Sequence, residues 1–191
     1  MTTPADQIFA RGLDVFDAVV ADMEGHDWAQ PSACEGWSAL DVLGHVGQIA
    51  EVGAEIFEGH PPRPPSTSPH PGEHVDGDPA AYWNERSARV RAGLADVDLG
   101  QVLDTPAGPR TMADGLAFPA IDLFVHAWDI ARVSGSDVVI PADVIEFAHT
   151  YLDPIPDERK RTPGLFGAVI EPPADATPTE AFLAWTGRQP R

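Results

Sequence analysis

Three polar residues interrupt an otherwise apolar segment between residues 115 and 131. Asp122, His126 and Asp129 occupy positions i, i+4 and i+7, so a helix would place them along one stripe. A carboxylate and an imidazole one turn apart can both reach a single cation, as they do in metal sites between facing helices. Asp122 and His126 are therefore candidate metal ligands.

His45, on an earlier predicted helix, is the candidate third ligand. Two histidines and one carboxylate are a common ligand set for zinc and other divalent transition metals. Three protein ligands leave one position open for water or a substrate. Asp129 could then orient a ligand through a hydrogen bond, or close the site as a fourth ligand and so argue against catalysis.

The same residues allow a second interpretation, in which no metal binds. The stripe that contains Asp122, His126 and Asp129 continues to Arg132 and could be the solvent-facing side of an amphipathic helix. His45 could equally be a hydrogen-bonded histidine at the edge of the core. The remaining histidines are weaker metal candidates or packing residues: His26, His60, His70, His74 and His149.

Cys34 is the single cysteine, so the sequence offers no intramolecular disulfide and no indication of secretion. It precedes a predicted helix start, where a thiol can be reactive, although a small buried packing role is the alternative. No signal peptide is recognisable at the start of the sequence. We therefore expect a cytoplasmic protein.

Composition restricts the classes of partner. The chain of 191 residues suits one domain covering 1–191. Its net charge of −18 should repel nucleic acid and anionic membrane surfaces. No stretch of ~20 apolar residues occurs, so no membrane span is expected. Small molecules are the remaining partners, and a homodimer is left open.

Hydrophobic periodicity predicts four long helices, at about 4–24, 38–58, 78–96 and 111–134, and shorter ones after Pro141 and near 178–185. Ser38 with Asp41 forms a capping-box pattern, and Trp37 can pack across that helix start. The Pro-rich segment 59–78 should be a long, extended crossover without helix, and 97–110 a short strand or loop. The predicted fold is an all-α helical bundle with a C-terminal extension at 154–191.

Two segments also resemble a known family. Residues 31–45 (PSACEGWSALDVLGH) and 122–132 (DLFVHAWDIAR) are similar to the metal-binding signature of the DinB-like superfamily. The similarity is greatest to the N-terminal domain of mycothiol-dependent maleylpyruvate isomerases and to small actinobacterial metal-binding proteins. Parts of 163–188 resemble the latter too, so the resemblance spans nearly the whole chain.

The resemblance implies a DinB-like four-helix bundle with a divalent metal, zinc or nickel, held by His45, Asp122 and His126. It further implies a mycothiol-type thiol acting on a small electrophile, as a transferase or isomerase. Two departures limit the transfer: Asp122 stands where the isomerases have Glu, and their further C-terminal domain is replaced by a short extension. A non-catalytic metal or small-molecule binding protein is the alternative, and a metal-free bundle acting through a dimer interface is a third hypothesis.

Overall fold

A computed structural model describes residues 3–64, 67–105, 108–162 and 165–190. Pro65, Pro106 and Pro163, which the sequence assigns to connecting segments or the C-terminal extension, lie outside these ranges. The chain divides into two compact units, one covering Pro4–Val138 and the other beginning at Val139 and including Thr3. Within the described ranges, every helix is too short or too polar to cross a bilayer.

The first unit contains the four long helices that the sequence predicts: α1 (Ala5–Asp22), α2 (Ala39–Phe57), α3 (Pro79–Leu94) and α4 (Met112–Ser134). Helices α1 and α2 each pack against both α3 and α4. Their apolar faces form the core, which includes Leu13, Phe16, Val42, Leu43, Trp83, Val90, Ile121 and Phe124. The helical periodicity in the sequence therefore identified the buried faces correctly.

The helix ends follow the predicted capping signals. At the start of α2, the Asp41 amide donates to Ser38 Oγ at 3.1 Å, and the Ser38 amide donates to Asp41 Oδ2 at 3.0 Å. At the start of α4, Thr111 Oγ1 accepts a hydrogen bond from the Asp114 amide at 3.1 Å. Gly135, with a φ of 77°, ends α4 in the left-handed conformation.

The all-α prediction omits a two-stranded sheet, which lies where the sequence allows a short strand or loop. Strand β1 (Val102–Thr105) pairs antiparallel with β2 (Gly108–Thr111), with Val102 opposite Thr111. Thr105 Oγ1 donates to the Gly108 carbonyl at 2.7 Å, and Gly108 has a φ of +100° that favours glycine. Each strand has only four residues, which is too short to show a clear alternation of apolar and polar residues in the sequence.

The Pro-rich connection also differs from its prediction, because Pro71–His74 form a short 3₁₀ helix. Pro71 is tolerated at its first position, where no backbone donor is needed. The Gly72 amide donates to Asp41 Oδ1 at 3.0 Å, which ties this segment to the first turn of α2. A side chain at Gly44 would clash with the Pro71 carbonyl oxygen, so the two backbones approach closely there.

The second unit contains α5 (Ala142–Leu152), α6 (Asp157–Lys160) and α7 (Pro178–Trp185). A capping box of Thr177 and Glu180 starts α7. The rings of Phe182 and Trp185 stack at 5.9 Å and both contact His149. The two shorter predicted helices are thus present, while the assignment of the whole chain to a single domain stays a prediction.

Candidate metal centre

The three predicted ligands lie together in the first unit. His45 Nε2 is 3.2 Å from Asp122 Oδ2, and His126 Nε2 is 3.4 Å from Asp122 Oδ1. The centroids of the two imidazole rings are 5.0 Å apart. One ligand atom from each residue lies within 4.8 Å of the other two, which suits a shared cation. The metal-free bundle hypothesis expected the two histidines to lie far apart or to point to solvent, and the structure brings them together.

Burial contradicts the interpretation of the stripe as solvent-facing. Asp122 is 8% exposed, His126 4% and Asp129 0%, whereas Arg132 is exposed. Buried ionisable groups need partners, and these three residues find them in one another. The side chain of His45 remains 22% exposed, so the cluster meets solvent at the α2 side.

Asp129 lies behind His126 rather than among the three candidate ligands. Its Oδ2 is 2.9 Å from His126 Nδ1, which favours the tautomer with the proton on Nδ1. Nε2 of a neutral His126 is then an acceptor, and it faces a carboxylate oxygen of Asp122. Two acceptors at this distance require a proton or a cation between them. The donor set therefore fits a divalent metal ion.

The first turn of α2 fixes the position of His45, which follows one turn after Asp41. Burial alone would raise the pKa of the Asp41 carboxyl, but hydrogen bonds from Ser38 and from the Gly72 amide hold its pKa below the usual value. Asp41 is therefore charged at neutral pH and accepts all three bonds as an anion. The helix start and the docked 3₁₀ segment are held by one carboxylate.

Trp37 is a component of the site that the sequence interpretation missed. Its ring centroid lies 5.1 Å from that of His45 and 6.1 Å from that of His126. The sequence indicated only a packing role at the start of α2. The contact with His126 joins residues 89 positions apart, and a single sequence gives no signal for such a contact.

Cys34 forms a second group of ligand-type side chains with His126 and Asp129, again with one atom of each within 4.8 Å of the others. This group shares only His126 with the first. The weaker metal candidates His70 and His74 belong to neither group, and no other group of three was found among the described residues.

A narrow apolar cleft reaches Asp122 from the side of α1. Its lining is formed by Phe9, Leu13, Val46, Ile49, Ala50, Pro119, Asp122 and Leu123. The cleft has room for about one water molecule. A larger ligand would therefore have to approach the cluster from another side, where His45 is partly exposed.

Comparisons with known proteins agree with this architecture. Two solved structures of the mycothiol-dependent maleylpyruvate isomerase, one of them a histidine-to-alanine mutant, superpose with TM-scores of 0.60 and 0.59 at 18% and 17% identity. Each match covers 77% of this chain and 70% of the isomerase chain, and at this identity it shows the fold.

Sequence relatives include the uncharacterized proteins Rv0738 and MT0763 of Mycobacterium tuberculosis. Each is 24% identical over 187 residues, covering 95% of this chain and 96% of the relative. The profile of the mycothiol maleylpyruvate isomerase N-terminal domain matches residues 9–131, which include all three candidate ligands. The chain therefore belongs to the mycothiol maleylpyruvate isomerase N-terminal domain family.

Proposed function

We propose that this protein binds one divalent metal ion, zinc or nickel, through His45, Asp122 and His126, and uses a mycothiol-type thiol to transform a small electrophile by S-transfer or isomerisation. One observation carries the proposal. Asp129 contacts the far nitrogen of His126, so it orients a ligand instead of closing the site. Three protein ligands leave a position for a further group, as in catalytic metal sites.

The metal ligands, Asp129 and Trp37 would have different roles in this reaction. A bound cation with an open position would lower the pKa of a thiol and so favour the nucleophilic thiolate. Asp129 holds the proton of His126 on Nδ1 and keeps Nε2 available. Trp37 packs against both imidazole rings and restricts their rotation.

Family membership supports the thiol part of this proposal, since the solved relatives are named as mycothiol-dependent. We also propose that α1 to α4 form a DinB-like four-helix bundle. The protein would be cytoplasmic, alone or as a homodimer, with a small thiol and an electrophile as its partners.

The second candidate function is a non-catalytic metal or small-molecule binding protein, and the narrow cleft favours its metal-binding form. Space for about one water molecule beside Asp122 does not provide a substrate pocket. A binding protein would hold the metal ion but show no turnover of an electrophile in the presence of a thiol.

Two measurements separate these functions. Metal content of the purified, tag-free protein by elemental mass spectrometry should give about one equivalent, lost in His126→Ala. Metal-loaded protein should then accelerate consumption of a thiol-reactive electrophile with mycothiol, and less with cysteine or glutathione. One equivalent of metal without acceleration would support the binding function, and no metal after reloading would contradict metal binding in either function.

A further inference from the structure

We propose that Cys34, His126 and Asp129 form a second metal position, distinct from the first and selective for cations that bind thiolate. The three side chains bring one sulfur, one nitrogen and one oxygen ligand atom within 4.8 Å of one another. Zinc and cobalt accept this combination of ligands. The position goes beyond the proposed function and does not depend on it.

The loop before α2 holds Cys34 against α4. The Ala33 amide donates to the Asp129 carbonyl at 3.3 Å, so the residue next to Cys34 is bonded directly to α4. Within the loop, the Trp37 amide donates to the Cys34 carbonyl at 3.0 Å, and the Cys34 amide donates to Ser32 Oγ at 3.1 Å. The backbone on both sides of the thiol is therefore fixed, which places Cys34 for ligation without loop rearrangement.

The cluster also has the burial expected of a metal position with one entry side. His126 and Asp129 are 4% and 0% exposed, whereas Cys34 is partly exposed. A cation could thus enter past the sulfur and meet the two buried ligands behind it. The surrounding chain carries a charge of −18, which favours accumulation of divalent cations.

The two positions share the imidazole of His126. Nε2 of His126 lies near Asp122, and Nδ1 lies near Asp129. A neutral imidazole offers one lone pair, so His126 can serve one position at a time. Removing the first position should therefore leave the second available.

The test uses Co²⁺ as the probe in the full-length protein carrying Asp122→Asn. Thiolate ligation of Co²⁺ gives a near-ultraviolet charge-transfer band, whereas imidazole and carboxylate ligands do not. Since the chain has a single cysteine, such a band reports on Cys34. We expect the band to saturate at about one equivalent of Co²⁺ and to disappear when Cys34→Ser is added.

Asp129→Asn, added to Asp122→Asn, tests the cluster as opposed to the cysteine alone. The Co²⁺ affinity, measured by titration of the charge-transfer band, should fall by at least tenfold. Absence of the band, a band insensitive to Asp129→Asn, or a band lost on dilution through bridging of two chains would each overturn the proposal. Circular dichroism checks folding, and His45→Ala, at a partly exposed side chain, repeats the test if Asp122→Asn fails to fold.

Failure of this position is distinguishable from failure of the proposed function. Metal content and thiol reactivity are compared in Cys34→Ser, which removes only the second position, so they report on the first position there. The charge-transfer band reports only on the second.

Discussion

Asp129 Oδ2 lies 2.9 Å from His126 Nδ1 on the side of the imidazole that faces away from Asp122. Because of this contact, Nδ1 holds the proton of the neutral ring and Nε2 presents the lone pair. The orientation of His126 is thus determined within α4 itself, by a residue three positions further along the helix.

The first prediction concerns that contact. Asp129→Asn keeps the size of the buried side chain but removes the charge that favours a proton on Nδ1. We expect the affinity of the wild-type position for Zn²⁺ to fall about 10–100-fold, as for other residues that orient a metal-bound histidine. Competition against a chromophoric chelator measures this. Unchanged affinity in a folded variant would show that Asp129 does not orient the ligand.

The second prediction compares two changes at Asp122. Asp122→Asn removes the charge that both imidazoles contact, so Zn²⁺ affinity should fall by more than the roughly 10–100-fold of an orienting residue. Asp122→Glu retains the charge and introduces the residue that the related isomerases are expected to have. It should keep about one equivalent of metal by elemental analysis.

Comparison of Asp122→Asn with Asp122→Glu separates the effect of charge from the effect of side-chain length. If Glu and Asn both abolish binding, the site requires both the charge and the side-chain length of Asp122. If neither affects it, Asp122 is not a ligand, and the metal assignment fails.

The sequence predicted the long helices and the proximity of Asp122 to His126 better than it predicted the surroundings of the site. Asp122 and His126 lie one turn apart on a single helix, so local spacing was enough to pair them. The addition of His45 required the packing of α2 on α4. The residue types allowed His45 as a third ligand, and the family resemblance supported that choice. The proximity of Trp37 and Cys34 to His126 depends on how a loop folds over α4. Such long-range contacts leave no periodic trace in one sequence.

The third prediction uses Trp37 as a reporter of the site. Co²⁺ bound by the two histidines should quench the fluorescence of nearby indoles, and Trp37 contacts both imidazole rings. Trp37→Phe should therefore remove the largest share of the metal-dependent quenching. Trp83→Phe, whose ring packs on Phe16 rather than on the two imidazoles, is the control and should leave the quenching close to its wild-type value. Equal losses in the two variants would argue against a metal next to Trp37.

The fourth prediction concerns pH and Asp41. Its pKa is lower in the folded protein than the ordinary value of about 3.9, so its contribution to stability is present above that pH and is lost as pH falls through the folded pKa. Asp41→Asn should reduce the free energy of unfolding at pH 7 by about 1–3 kcal/mol, because it weakens charge-assisted bonds from Ser38 and Gly72.

Denaturant unfolding at pH 7 and at pH 3 provides the measurement. The difference between wild type and Asp41→Asn should shrink at pH 3, which lies below the ordinary pKa, so that the unfolded chain binds the proton and the contribution of Asp41 declines. A difference that stays constant between the two pH values would mean that charge on Asp41 does not stabilise the helix start.

The fifth prediction concerns two glycines inside α2 that differ in their surroundings. A side chain at Gly53 would have Val90 as its nearest neighbour at 3.5 Å, an ordinary contact. Gly53→Ala should therefore stabilise the protein by about 0.5–1 kcal/mol through helix propensity. Gly44→Ala gains the same propensity but clashes with the Pro71 carbonyl oxygen, a backbone atom that cannot rotate away.

Gly44→Ala should consequently destabilise the protein and loosen the 3₁₀ segment from the first turn of α2, next to His45. Denaturant unfolding measures the opposite signs of the two substitutions. Hydrogen exchange at the Gly72 amide, which donates to Asp41, should accelerate in Gly44→Ala and stay slow in Gly53→Ala. If Gly44→Ala stabilised the protein as much as Gly53→Ala, the connection would not be docked on α2, and His45 would lack the neighbouring support that its position depends on.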